Sequence, residues 1–170
     1  MSELVWRMIA RLVSIPRVAQ WLIARAQRTP YFHLGGYMTR WWLFNPYNLE
    51  NRTKRWSWLP SIRLHNILRA DDADHPHNHP WHARSIILTG AYAEERRDHE
   101  LTELIGLDVD EVGVKRAGDT YTLTPADFHN IVYVSREPVW TMFITWKHEQ
   151  SWGFLVDGVV IPSREYTGRK

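Results

Sequence analysis

The sequence predicts an all-β domain, a sandwich or barrel, with one helical end. Three observations lead there. Beyond residue 30, short apolar or β-branched runs recur about every 8 to 12 residues. Glycine, proline, asparagine and aspartate punctuate them. Clear helical periodicity is confined to the first 29 residues. A chain of 170 residues with 44% hydrophobic content can close one ordinary core. The expected division is a helical segment over 1–30 and a β-barrel domain over 31–170.

In the first segment Leu4, Val5, Met8, Ile9, Leu12 and Val13 recur at helical spacing. A break near Pro16 follows, with Ser14 as the expected cap of a second helix on which Val18, Leu22 and Ala26 stand four apart. Arg7, Arg11, Arg17, Arg25 and Arg28 face a single carboxylate, Glu3, so the segment carries four net positive charges in a chain whose formal net charge is +2. The segment is expected to cap the domain or meet a second subunit, in preference to lying as a basic amphipathic helix on an anionic membrane surface. Arginine interrupts every apolar run before it could span a bilayer, and no secretory cleavage pattern is present, so a cytoplasmic location is expected.

Tyr37 to Phe44 is a dense aromatic run ended by Asn45-Pro46 and reads as a strand. The loop from 48 to 60 interleaves Lys54 and Arg55 with Trp56 and Trp58. That pattern suits single-stranded nucleic acid, but the cluster is short, and packing against the domain is the reading adopted, with no nucleic-acid partner. Ile62, Leu64 and Leu68 alternate with Arg63, His65 and Arg69, a half-buried strand. Ser85 to Thr89, Val112 to Arg116, Thr120 to Thr124, His129 to Val134 and Val139 to Trp146 read as further strands, and Gly153 to Pro162 as a last hairpin. Tyr92 to Glu100 is charged, Leu101 to Leu107 is ambiguous, and the pairs Asp71-Asp72 and Glu94-Glu95 read as solvated loop charges.

The chemistry concentrates in DHPHNHPWHARSIILTG, residues 74–90, where four of nine histidines fall within eight residues. His77 and His79, two apart at the start of a strand, share one face. His129 stands at the start of another. Three inward imidazoles from two strands suit Fe, Zn, Ni, Cu or Mn, and a chain with no cysteine can offer only nitrogen and oxygen ligands. His75 reads as a surface residue. Phosphate-binding glycine loops, a Gly-x-Ser-x-Gly elbow and a His-Glu-x-x-His helix are all missing.

These residues resemble the two motifs of the cupin superfamily. His77-Asn78-His79 with Gly90 matches the first, and Gly118-Asp119, Pro125-Ala126-Asp127 and His129 match the second, over about Ile62 to Ile161. RLHNILRADDADHPHNHPWHARSIILTGAY and WTMFITWKHEQSWGF further resemble uncharacterised bacterial and phage cupins, some likened to cysteine dioxygenase. The resemblance implies a double-stranded β-helix, or jelly-roll, barrel in which His77, His79 and His129 hold one divalent metal ion, iron favoured and zinc or nickel as alternatives. The motif's usual glutamate is replaced by Ala83. Three neutral ligands then leave a divalent charge uncompensated, which favours a small anionic ligand and a metal-dependent oxygenase. The alternative is a non-catalytic metal- or ligand-binding accessory module docking through its N-terminal segment. Cupins often pair through their sheets, so a homodimer is a candidate partner arrangement.

Five further residues are candidates around the site. Arg63 and Arg84 are cations for a carboxylate, and His65 is a buttress for a ligand. Parity turns Tyr133 inward beside His129 and Ile131, either reaching the cavity or filling the barrel. It turns His82 away from His79 unless Pro80 induces a bulge.

Overall fold

In a computed structural model the chain is described at residues 1–31, 33–48, 50–51, 53–98, 110–149 and 152–168. Two helices come first, α1 Glu3–Val13 and α2 Pro16–Ala26. Pro16 sits in the first turn of α2, where its missing N–H goes unneeded. Ser14 does not cap that helix. It continues α1 in a helical conformation and its hydroxyl donates to Arg11 O at 3.1 Å, leaving Ile15 at the N-cap of α2 without a side-chain bond.

Among the described residues ten strands follow: β1 Met38–Phe44, β2 Ser61–Ile67, β3 Trp81–Thr89, β4 Ala91–Asp98, β5 Asp110–Arg116, β6 Thr120–Leu123, β7 Asp127–Val134, β8 Val139–His148, β9 Gly153–Val156 and β10 Val159–Pro162, before a single helical turn, α3 Ser163–Tyr166. One antiparallel sheet runs β1-β2-β8-β3-β6, a second β5-β4-β7, and β9 pairs with β10. Asp157 and Gly158, both with positive φ, make the two-residue turn of that last hairpin. The fold is the antiparallel all-β arrangement that the sequence predicts, with a helical N-terminus.

The five-stranded sheet is buried on both faces. Leu64, Ile86, Leu88, Met142 and Ile144 turn outward and meet Ala10, Ala19, Leu22 and Ala26 of the helices in one core. The opposite face turns into the barrel, where Ile67, Ile87 and Val139 pack on Tyr92 and Ile131, and Ala83, Leu123 and Phe143 form a third cluster. This changes the meaning of the alternation in β2. Ile62 and Leu64 lie under the helices, and Ser61, Arg63 and His65 share the barrel side with Ile67.

The run expected only to be charged supplies β4 as far as Asp98, its last two residues lying outside the described ones, and two of its charges satisfy each other: Arg96 Nε donates to Glu94 Oε1 at 2.8 Å. The ambiguous run Leu101 to Leu107 lies outside the described residues. In the loop from 48 to 60 Trp56 packs down as expected, whereas Trp58 is 78% exposed. Asn45 donates to the carbonyls of Trp56, Leu59 and Pro60, and Trp56 stacks on Phe44.

Gly90 joins β3 to β4 with φ +70°, and a Cβ there would stand 2.8 Å from Val139 Cγ2 and 2.9 Å from Pro138 O. Strain and overlap coincide, so Gly90→Ala should cost roughly 1–3 kcal/mol. A urea-unfolding midpoint equal to wild type would show that the turn relaxes instead.

Candidate metal centre

The histidine stretch reaches its place by running beside β7. Asp71 exchanges backbone and side-chain bonds with Ile131, donating to its carbonyl at 2.8 Å and accepting from its N–H at 2.7 Å. His77 and His129 then form a reciprocal backbone bridge, 3.0 and 2.9 Å, and His77 bridges Phe154 of β9 on its other side. Asn78 locks the arrangement by donating to Pro125 O at 2.9 Å and accepting from the N–H of Gly153 at 2.9 Å. A segment between strands thus acquires the rigidity of a strand.

The result brings together His77, His79 and His129, whose ligand atoms all lie within 4.8 Å of one another. Nε2 of His79 and Nε2 of His129 are 2.9 Å apart. A cation about 2.0–2.1 Å from each of two nitrogens at right angles requires a separation of about 3.0 Å, so the pair fits a first-row metal without rearrangement. Burial pushes His77 down to about 4, helped by the charge that His129 would carry, and lowers His79 well below the ordinary imidazole range. At neutral pH both are unprotonated donors. Phe143, Phe154, Trp81 and Trp152 stand around the His77 and His79 rings at centroid distances of 5.5 to 6.3 Å and limit water.

Glu94 is the residue that sequence reasoning missed. It is enclosed in the barrel, with Oε1 3.1 Å from His129 Nδ1 in a close but bent contact, and bonded to Arg96. Burial opposes its charge, yet His129 and Arg96 together hold it down at about 2. A carboxylate at Nδ1 keeps the proton there and leaves Nε2 as the lone-pair donor, the tautomer that metal binding needs. The alternation of Tyr92 and Glu94 on one face of a short strand was the available signal, hidden by the neighbouring charges.

Three of the other candidates are placed elsewhere. An extra residue in β7, Val132, shifts the pairing between Ala93↔Tyr133 and Glu94↔Ile131, reverses the parity, and leaves Tyr133 60% exposed instead of facing inward. His82 points to solvent beside Glu149, Nε2 to Oε2 3.1 Å. Arg84 lies on the helix side of β3, paired with Glu3 of α1, bonded to Thr120 Oγ1 and stacked on Trp6, so it ties the helices to the sheet and is not a pocket cation. His65 is buried near the site but stacks on Phe143, and its Nε2 has no hydrogen-bond partner among the described residues, so none of the three histidines is buttressed by a hydrogen bond from it. Ala83 is buried against Leu123 and Phe143. His75, expected at the surface, is half-buried and contacts the Tyr166 hydroxyl at 3.0 Å.

Arg63 does face the interior. Its guanidinium lies 4.8 Å from the Trp81 ring, which in turn stacks on His79, and 5.3 Å from Phe143. Nη1 donates to Tyr47 Oη at 3.2 Å, whereas Nε and Nη2 are buried without a partner. Among the described residues no carboxylate pairs with it.

Comparison with solved structures agrees on the fold. The chain is similar to recombinant oxalate oxidase in complex with glycolate (TM-score 0.53, 11% identity, 76% of this chain and 61% of that one). It is similar to an oxalate decarboxylase variant from Bacillus subtilis (TM-score 0.55, 8% identity, 85% and 33%) and to FeII HppE (TM-score 0.50, 10% identity, 71% and 57%). These neighbours are cupins. The chain spans about three fifths of the oxalate oxidase chain and a third of the decarboxylase. No family model and no curated protein matches the chain.

Two outcomes test this geometry. His77, His79 and His65 are all easier to protonate in the unfolded chain, near 6.5, than in the fold, where His77 lies at about 4. The unfolded state therefore binds more protons between these values, and the metal-free protein should lose stability as pH falls through that window. Thermal unfolding at pH 7, 6 and 5 should show a falling Tm, and a flat Tm contradicts the reading. Glu94→Gln should weaken metal affinity roughly 10- to 100-fold in a chelator competition, and unchanged affinity would reduce Glu94 to a packing role.

Proposed function

We propose that His77, His79 and His129 hold one divalent metal ion and that the centre serves a metal-dependent oxygenase acting on a small anionic molecule. The observation that carries the reading is the pairing of three converging imidazoles with a buried Arg63 on the same barrel interior that, among the described residues, meets no carboxylate. Iron is favoured, with zinc or nickel as alternatives. Neutral imidazoles suit all three metals, and the FeII form of the neighbour HppE supports iron.

A divalent redox metal held there by His77, His79 and His129 would supply Lewis acidity and dioxygen chemistry. The chain's own residues supply the rest. With no protein carboxylate among the three ligands, the metal's charge is left for an anionic ligand to balance. Arg63 offers Nε and Nη2 to a carboxylate in the bidentate geometry natural to guanidinium, and the rings around it exclude competing water. Glu94 keeps the His129 proton at Nδ1, so that Nε2 remains a donor through the cycle.

Elemental analysis of protein made without a His-tag should find about one iron per chain, with oxygen uptake on a panel of thiol and diol acids. His79→Ala should lose both metal and activity. Arg63→Met should raise KM for the acid at least tenfold while metal content holds, since a charge-assisted pair is worth roughly 1.5–3 kcal/mol. Stable zinc or nickel with no oxygen uptake across the panel would sink the oxygenase and leave the second reading, a ligand-binding module. The exposed apolar side of α1 favours docking in that case.

A further inference from the structure

We infer that the N-terminal helical pair docks the protein onto an anionic lipid surface. One side of α1, Trp6, Ile9, Ala10 and Val13, lies on the five-stranded sheet. The other side is also apolar: Leu4, Val5, Met8, Leu12 and Ile15 repeat at helical spacing, and Leu4, Met8 and Leu12 are 69%, 63% and 58% exposed. A helix needed only as a cap would be polar on its outer side. On α2 the buried face is Ala19, Leu22 and Ala26, and the solvent face carries Arg17, Trp21 and Arg25 at spacing four, with Arg28 just beyond the helix end. Trp21 is 65% exposed.

Charge selects the occupant. Glu3, the segment's one carboxylate, is engaged by Arg84, and among the described residues no carboxylate is in ion-pair contact with Arg11, Arg17, Arg25 or Arg28. A second copy meeting this surface across a two-fold axis would set the arginines against themselves. An anionic bilayer instead supplies phosphates for the arginines, an acyl boundary for the α1 stripe and a headgroup layer for Trp21. Neither helix is long and apolar enough to cross a membrane, so the pair would lie in the interfacial plane. This surface is on the far side of the five-stranded sheet from the histidines, and the inference stands independently of the metal reading.

Sedimentation of the full chain with vesicles tests it. The protein should pellet with phosphatidylcholine vesicles containing phosphatidylserine, far less with phosphatidylcholine alone, and less as salt rises. Replacing Arg17, Arg25 and Arg28 by glutamine should lower partitioning about fivefold per arginine. The combined variant Leu4→Gln, Met8→Gln, Leu12→Gln should abolish pelleting even at low salt, with a wild-type melting temperature because these side chains are exposed. The inference is overturned if wild type stays in the supernatant with both vesicles, or if both variants pellet like wild type. A dimer that the leucine and methionine variant dissociates, with no vesicle binding, would overturn it in favour of a second copy.

Discussion

The barrel mouth depends on the two backbone hydrogen bonds that join His77 to His129. They convert a proline-flanked connection into a strand-like segment lying between β7 and β9, and they fix the register in which two histidines two residues apart meet a third fifty residues later. Asp71 and Asn78 extend the clamp on either side, by bonds to Ile131, Gly153 and Pro125. Buried backbone groups in such a connection would otherwise go unpaired, at a cost comparable to a lost hydrogen bond each. The same bonds that stabilise the connection therefore aim the imidazoles.

Around that bridge the electrostatics divide into two halves. On one side Glu94 lies between Arg96 and His129, accepting from Arg96 Nε at 2.8 Å and standing 3.1 Å from His129 Nδ1, so that the buried carboxylate and guanidinium offset each other's desolvation. On the other side Arg63 has aromatic faces and one phenol but, among the described residues, no anion. Aromatic quadrupoles offset part of the desolvation of a guanidinium, and two of its donor groups remain free to recognise a ligand. His77 and His79, kept neutral by burial, stand between the two halves.

A sheet with arginine and histidine on its inner face gains less from the interior of the barrel than an apolar one would. Its outer face compensates. Leu64, Ile86, Leu88, Met142 and Ile144 bury themselves under α1 and α2, and Arg84 reaches through to bind Glu3. The helices are thus part of what lets the site be polar, and their own outward residues are left to meet something other than this domain.

Sequence alone determined a good deal here. The turn residues and short runs predict the strands, and the His-x-His pair with His129 names the three residues that converge, because strand parity and the two-motif order are local properties of the chain. The absence of a carboxylate at Ala83 is equally legible. Tertiary structure decided the rest. One extra residue in β7 turned Tyr133 outward. Arg63 and Arg84 looked alike in sequence, yet burial of the sheet on both faces sent the first into the barrel and the second under the helices. Glu94 looked like a solvated charge until β4 placed it against His129 and Arg96. Parity can be read from spacing, but which face of a strand becomes the inside, and where a bulge resets the count, follows from what packs across it, and those partners lie tens of residues away.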